Sequence, residues 1–501
     1  MQRLRHNILA NYAGNALGAL LAIVLVPLYI RFMGIEAYGL VGVFSTLGAT
    51  FALLDMGLSQ TLNRELARLS AVPDPAQEMR DLVRTLEVVY WIVALLIGII
   101  VLALAPLIAE DWVQAESLPT STVRQAVTLM GLIMTVQWPI SLYSGGLRGM
   151  QQQVTLNMIN VGTAAVRGIG AILILWLISP TIQAFFIWQA FTSTVQTLSL
   201  TVALWRGLPQ ALSSASFNRN LLKSVWRFAA GMSGISVLSL ILTQFDKVIL
   251  SKVLTLELFG YYTLANTVAT NLLMLSYPVH YAIFPRVSQL VSQGNQEELK
   301  RLYHLSCQFS SVLILPAAII LALFAPEILL LWTGDLTTAT HAAPLVSLIA
   351  IGTALNGLMG LPYLLQLAHG WTRLTLYTNT VAIIFMVPLT LGLISLYGAV
   401  GGAAVWGILN GGYVLIELPI MHRRLLQGEQ WKWYFEDVGL PLAGSLCVAL
   451  LGKWALRADL PPLGMLFSLA LIAFLSLGAA VLLAPRLRLQ IFEQLALRRI
   501  L

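Results

Sequence analysis

Fourteen apolar runs, each close to the length of a membrane-spanning helix, dominate this sequence. They fall near residues 8–30, 38–60, 86–109, 123–147, 154–178, 181–205, 225–250, 258–283, 305–325, 341–367, 374–396, 399–421, 436–456 and 461–483. A helix needs ~20 mainly apolar residues to cross a bilayer, and barrel strands are about half as long. None of the runs shows the strict alternation of a strand. The chain therefore reads as an all-α polytopic membrane protein. Only 10% of its 501 residues are charged and 58% are hydrophobic, where a soluble protein carries ~25% charge. That composition excludes a soluble enzyme, a disordered chain and a nucleic-acid-binding domain.

Lys and Arg set the orientation, because they concentrate in cytoplasmic loops. With the N-terminus inside, 22 of the 29 fall in inner segments and 6 in outer ones, with Arg167 inside a span. Both termini are thus expected in the cytoplasm. The same excess accounts for the net charge of +7. The opening MQRLRHNILANYAGNALGALLAIVLVPLYI has a basic start, but its apolar stretch is too long for a signal peptide. It reads as an uncleaved first span. Cys307 and Cys447 both lie in apolar segments and make no disulfide framework. The six histidines show no metal-ligand spacing.

An internal repeat is visible. MGIEAYGLVGV (33–43) resembles LTLELFGYYTL (254–264), pairing Glu36 with Glu257, Tyr38 with Phe259 and Gly39 with Gly260 at an offset of 221. The same offset pairs Leu69 with Leu290, Arg80 with Arg301 and Gly149 with Gly370. It carries six spans, an even number, so the halves should be parallel repeats about an axis along the membrane normal. The expected organisation is an N-terminal lobe (1–205), a Ser-rich cytoplasmic linker (206–224), a C-terminal lobe (225–425), and spans 13 and 14 with a basic tail (426–501). Two pseudo-symmetric six-helix lobes suit an alternating-access transporter with its site between them.

Several segments carry a resemblance. They are PLYIRFMGIEAYG closing the first span, LLDMGLSQTLNRELA closing the second, LRGMQQ after the fourth, and QFDKVIL with LFGYYTLAN in the second half. Over about residues 1–425 the chain resembles the polysaccharide-specific transporters of the multidrug/oligosaccharidyl-lipid/polysaccharide superfamily. More narrowly it is similar to the Wzx-type flippases. The resemblance implies two lobes around a central cavity in a bacterial inner membrane. It implies movement of an undecaprenyl-diphosphate-linked oligosaccharide, such as an O-antigen unit of lipopolysaccharide, to the outer leaflet. It implies that lipid-linked sugar, membrane lipids and the polysaccharide polymerase machinery as partners, and no nucleic acid. Two sister branches are the alternatives. Cation-coupled multidrug extruders carry membrane-buried acids, yet the first span has none between Asn7 and Ile30. Peptidoglycan-precursor flippases carry several first-lobe arginines, and here Arg167 stands nearly alone at depth.

Polar residues inside spans usually face a bundle interior or a wet cavity, and helical spacing shows which share a face. Asn7, Asn11 and Asn15 repeat at i, i+4, i+8; they read either as a cavity wall for sugar hydroxyls or as a helix–helix contact. Gln137, Ser141, Ser144 and Arg148 share a face of span 4, with Arg148 at the cytoplasmic mouth, where a long side chain can also snorkel. Asn266 with Thr270 in span 8, and Trp406, Asn410, Tyr413 and Glu417 in span 12, form similar stripes. Asp55, Asp246 and Glu417 are the candidate coupling carboxylates; interfacial placement for Asp246 and pairing of Glu417 with Arg423 are the alternatives.

Arg167 lies thirteen residues into span 5, about 20 Å along at 1.5 Å per residue. Asn157, Asn160 and Thr163 share its face. A guanidinium matches phosphate oxygens bidentately, so a diphosphate is one partner and an ion pair with Asp55 is the other. No G-x-x-x-x-G-K-[ST] motif occurs and no outer loop is long enough for a catalytic domain. The chain is read as a transporter with no catalytic residues, metal or cofactor.

Overall fold

The computed structural model describes residues 24–70, 72–73, 75–457 and 460–490, with the backbone alone over 224–236. Every described part of the fourteen apolar runs lies mainly on helix, and no strand occurs among the described residues. Nine helices among them are long and apolar enough to cross a membrane, and Thr372–Leu425, with 54 residues, covers the two runs 374–396 and 399–421.

The chain's contacts group Met1–Gly260 and Tyr261–Leu501 into two compact units. The first holds α1 (Val24–Met33), α2 (Ile35–Phe51), α3 (Leu58–Leu69), α4 (Ala76–Leu107), α5 (Thr120–Gln137), α6 (Ile140–Gly149), α7 (Gln153–Leu177), α8 (Ile182–Gly207), α9 (Arg219–Val253) and the start of α10 (Leu256–Thr270). α9, which opens the expected second half, packs here on α2, α3 and α4. α8 is absent from the nine because it is polar along one side, where Gln189, Thr192, Ser193, Gln196 and Thr197 are all buried. A run read as one span can also be two helices: run 4 breaks at Trp138–Pro139 between α5 and α6, and run 8 breaks after Thr270.

The first unit is built on a leucine stripe. Leu58, Leu62, Leu66 and Leu69 of α3 are buried against Leu82, Leu86 and Tyr90 of α4, Leu142 and Leu147 of α6, and Leu200 and Leu204 of α8. α6 approaches α3 backbone to backbone. A Cβ on Gly145 would lie 2.4 Å from the Ser59 carbonyl oxygen, and one on Gly149 2.5 Å from that of Asn63. Small residues four apart let helices meet this closely. Gly145→Leu should therefore force α6 off α3, costing ~1–3 kcal/mol or more as overpacking does. The check is folded yield and thermal midpoint in detergent; an unchanged midpoint would refute the crossing.

The second unit continues through α11 (Leu273–Gln293), α12 (Gln296–Leu323), α13 (Ala325–Thr333), α14 (Leu336–Ala368), α15 (Thr372–Gly412), α16 (Leu418–Leu425), α17 (Gln430–Lys432), α18 (Leu440–Ala455) and α19 (Pro462–Leu483). Gly398 (φ 56°, ψ −130°) turns α15 between the two spans that it carries, a conformation that costs glycine nothing. α13 went unread in the sequence because nine residues are too few for a span. α18 and α19 pack on each other and on α12.

Loop charges fasten α12 to α17. Glu429, ahead of α17, lies 3.2 Å from Lys300 Nζ and 2.8 Å from Lys432 Nζ. Burial pushes its carboxyl up, but the hydrogen bonds from Lys432 and Lys300 outweigh that and hold it down at about 2, from an ordinary 4.5. A depressed carboxyl stabilises the fold fully above its unfolded value and loses that contribution as pH falls toward the folded one. The thermal midpoint should thus drop between about pH 4.5 and 2, the window that Glu429 sets. Glu429→Gln should flatten that part of the profile, and an identical slope in the variant would count against the latch.

Candidate functional site

Within the first unit a cavity of about 620 Å³ opens among α2, α3, α5, α6, α7 and α8. A sharp turn forms one wall. After the 3-10 turn Ala52–Asp55, Met56 (φ 44°) and Gly57 (φ 75°) are both left-handed. The methionine is strained there, and such strain persists where surrounding structure fixes it. Here the turn delivers Asp55 to the cavity. The Asp55 carboxylate accepts hydrogen bonds from the hydroxyls of Tyr90, Ser59 (2.9 Å) and Ser141 (3.2 Å). Tyr90 is itself fully buried and packs on Trp138, whose Nε1 donates to the Phe51 carbonyl (3.3 Å).

α6 forms the next wall. Ser141, Ser144 and Arg148, together with Gln137 at the end of α5, line the cavity, so the break at Pro139 preserves the shared face read from spacing. Behind them Tyr143 donates to buried Glu87 (2.8 Å), which also accepts from Arg84 (2.7 Å) and Trp205 (3.2 Å). This fixes the rotation of α6 and with it Arg148, the penultimate residue of the helix.

Arg167 is the fifteenth of the 25 residues of α7, about 20 Å from its start. Its Nη2 donates to Gln196 Oε1 at 2.6 Å, and Gln196 Nε2 donates to Asn160 Oδ1 at 3.1 Å. Trp188 Nε1 donates to the Arg167 carbonyl (3.1 Å). Asp55 is held by hydroxyls, and no ion pair joins it to Arg167 among the described residues. The guanidinium lies beside neutral amides, and its Nε has no protein acceptor among the described residues. A cavity with two arginines, one carboxylate held by hydroxyls, and further hydroxyls and amides can bind an anion and the hydroxyls attached to it.

The cavity thus brings together Arg167, Arg148 and Asp55. Other candidates stand elsewhere. Asn7, Asn11 and Asn15 lie outside the described residues. Asp246 is buried on α9 with Lys247 Nζ at 3.4 Å. Asn266 is half-buried on α10. Asn410 is fully buried and accepts from Asn356 Nδ2 (2.8 Å), so its amide holds α14 to α15. Glu417 is buried and accepts from Gln366 (2.9 Å) and Thr378 (3.0 Å), where pairing with Arg423 was the sequence alternative. Sequence reasoning missed Gln196. Its signal was the stripe Gln189, Ser193, Gln196 at i, i+4, i+7 on an otherwise apolar helix.

The fold and this cavity define a multi-pass α-helical membrane transporter. The family model described as "Polysaccharide biosynthesis protein" matches residues 4–291, and the chain belongs to that family. The MatE model matches residues 232–391. A Shigella flexneri protein described as an O-antigen transporter is 21% identical over 79% of this chain and 93% of its own length. The succinoglycan biosynthesis transport protein ExoT of Rhizobium meliloti (strain 1021) is 26% identical over 87% of this chain and 83% of its own length. Among solved structures, the lipid II flippase MurJ in an inward closed conformation superposes with a TM-score of 0.73 at 12% identity, covering 95% of this chain and 97% of MurJ. An inward-facing multidrug-resistance MATE transporter of the MOP superfamily gives 0.66 at 15%, covering 81% and 96%. These two likenesses speak to the fold.

Proposed function

We propose that this protein is a flippase that moves an undecaprenyl-diphosphate-linked oligosaccharide from the inner to the outer leaflet of a bacterial inner membrane. In this reading residues 1–205 and 225–425 are the two six-helix lobes, both termini are cytoplasmic, and a polysaccharide polymerase receives the product outside. The observation that carries the reading is the Arg167 guanidinium halfway along a membrane helix, held by a neutral glutamine and facing a polar cavity with Arg148. Arg167 is half-buried, and a charge partly withdrawn from water without a counter-charge is costly. An anionic cargo supplies that counter-charge, and a diphosphate matches the guanidinium fork. The hydroxyls and amides around it suit sugar hydroxyls.

Glu417 keeps ion coupling in view. A buried carboxylate whose partners are an amide and a hydroxyl, with no cation in contact among the described residues, can take up a proton during the cycle. Asp55 and Asp246 are the other coupling candidates.

A deletion strain tests the reading. Undecaprenyl-diphosphate sugars should accumulate in the cytoplasmic leaflet while surface polysaccharide falls. Normal surface polysaccharide with no accumulation would contradict it, and restored sensitivity to an organic cation would favour the exporter alternative.

A further inference from the structure

The repeat and the backbone geometry meet at one point. A Cβ on Gly39 of α2 would lie 2.3 Å from the Leu256 carbonyl oxygen, and one on Gly260 of α10 would lie 2.4 Å from the Ile35 carbonyl oxygen. Real Cβ atoms essentially never come within 3.0 Å of a neighbour. Gly39 and Gly260 are separated by the repeat offset of 221, and so are Ile35 and Leu256. The contact is therefore reciprocal: each helix offers a glycine to the carbonyl that its counterpart offers back, as in a two-fold interface. The surroundings are tight, with Leu256 at 1% exposure and Tyr38 and Phe259 buried beside the two glycines. The loop after α4 braces the crossing. Gln114 O accepts from Leu256 N at 2.7 Å, and Glu36 accepts from the backbone N–H of Glu116 (2.7 Å) and Ser117 (3.1 Å).

We propose that this glycine crossing is the outer closure of the transport cycle. The two helices touch backbone to backbone while the outer side is shut, and they part when it opens. This rests on the two-lobe transporter reading above. Parting the two helices unseats the Leu256 side chain, whose Cδ1 and Cγ lie 2.9 and 3.1 Å from the Gly39 Cβ position, and breaks the Gln114–Leu256 hydrogen bond, so the seal is held by local packing as well as by backbone approach. The two backbones meet there with no room for a methyl group between them.

The test uses the full chain with Cys307→Ala and Cys447→Ala, reconstituted or in spheroplasts. Thr46→Cys is the reporter; Thr46 is buried at 6% and lies two turns along α2 on the Gly39 face. An impermeant maleimide added outside should label it slowly in the parent. It should label roughly tenfold or more faster in Gly39→Ala or Gly260→Ala, since an added methyl against backbone shifts a packed equilibrium by about that factor. Flipping should fall about tenfold in each variant. The double variant should fall by less than the product, as neighbours sharing one contact do. Gly392→Ala, whose Cβ meets nothing within 4 Å, should match the parent. Parental labelling and parental flipping in both folded glycine variants would overturn the proposal. If those variants fail to fold, the parent itself decides: labelling must rise when the protein turns over, and equal rates at rest and in turnover overturn the closure. Labelling at rest does not depend on the cargo, so a wrong substrate leaves the glycine effect on it intact while abolishing the flipping and turnover readouts, and a wrong closure removes that effect.

Discussion

Arg167→Ala is expected to lower flipping per folded molecule by about one to two orders of magnitude, the size of a lost charge-assisted hydrogen bond of ~1.5–3 kcal/mol. The protein should still reach the membrane. Arg167 makes no ion pair among the described residues, so removing it strands no carboxylate; it frees only the amide of Gln196, which retains Asn160. Arg167→Lys should fall less, because the charge remains while the planar fork is lost. Gln196→Leu should act through Arg167: it frees the guanidinium and leaves Asn160 without its donor, so cargo affinity should weaken while abundance changes little. A structural role for Arg167 makes a different set of results. Abundance would fall in Arg167→Ala, and flipping per folded molecule would not change. Measuring abundance and flipping separately across the three variants distinguishes the two, and unchanged flipping at equal abundance removes Arg167 from the mechanism.

Glu417→Gln is expected to uncouple flipping from its driving gradient. The amide is nearly isosteric, can still accept from Gln366 and keeps a polar atom beside Thr378, so the packing around the helical turn Tyr413–Glu417 should survive. The gradient-dependent part of flipping should fall by about tenfold or more, as loss of an intramembrane proton site implies, while downhill movement continues. Glu417→Leu should also destabilise the protein, because two donors lose their acceptor. If Glu417→Gln responds to the gradient like the parent, Asp55 and Asp246 become the coupling candidates to vary next.

Much of the fold was legible because the bilayer leaves a chain few options: each backbone polar group must be satisfied inside its own helix, so length and hydropathy mark many of the spans, though not α8 with its polar side. What sequence could not reveal is where a span breaks. Pro139 reads as one polar-neutral position in a long apolar run, yet the chain restarts there as α6, and the Met56–Gly57 turn depends on strain that only tertiary contacts reveal. The cavity was half legible. Arg167 and Arg148 stood out because charges are rare inside spans, and the stripe of Gln137, Ser141 and Ser144 followed from spacing. Gln196 did not stand out, since an uncharged amide on α8 looks like any helix–helix hydrogen bond until its partner is known. Asn410 shows the converse. It has the same spacing signal as a cavity residue, and its amide is taken up by Asn356. Polarity in a span marks an interior face; which interior, wet or packed, depends on the neighbouring helix.

The most direct measurement uses the purified protein in proteoliposomes carrying an undecaprenyl-diphosphate-linked oligosaccharide, with the leaflet distribution read by a lectin or enzyme confined to one side. The parent is expected to speed transfer between leaflets well above protein-free vesicles, Arg167→Ala should lose most of that acceleration, and a lipid of the same chain length without the diphosphate should cross no faster than the background. Transfer equal to protein-free vesicles, or equal acceleration by the parent and Arg167→Ala, would contradict the account.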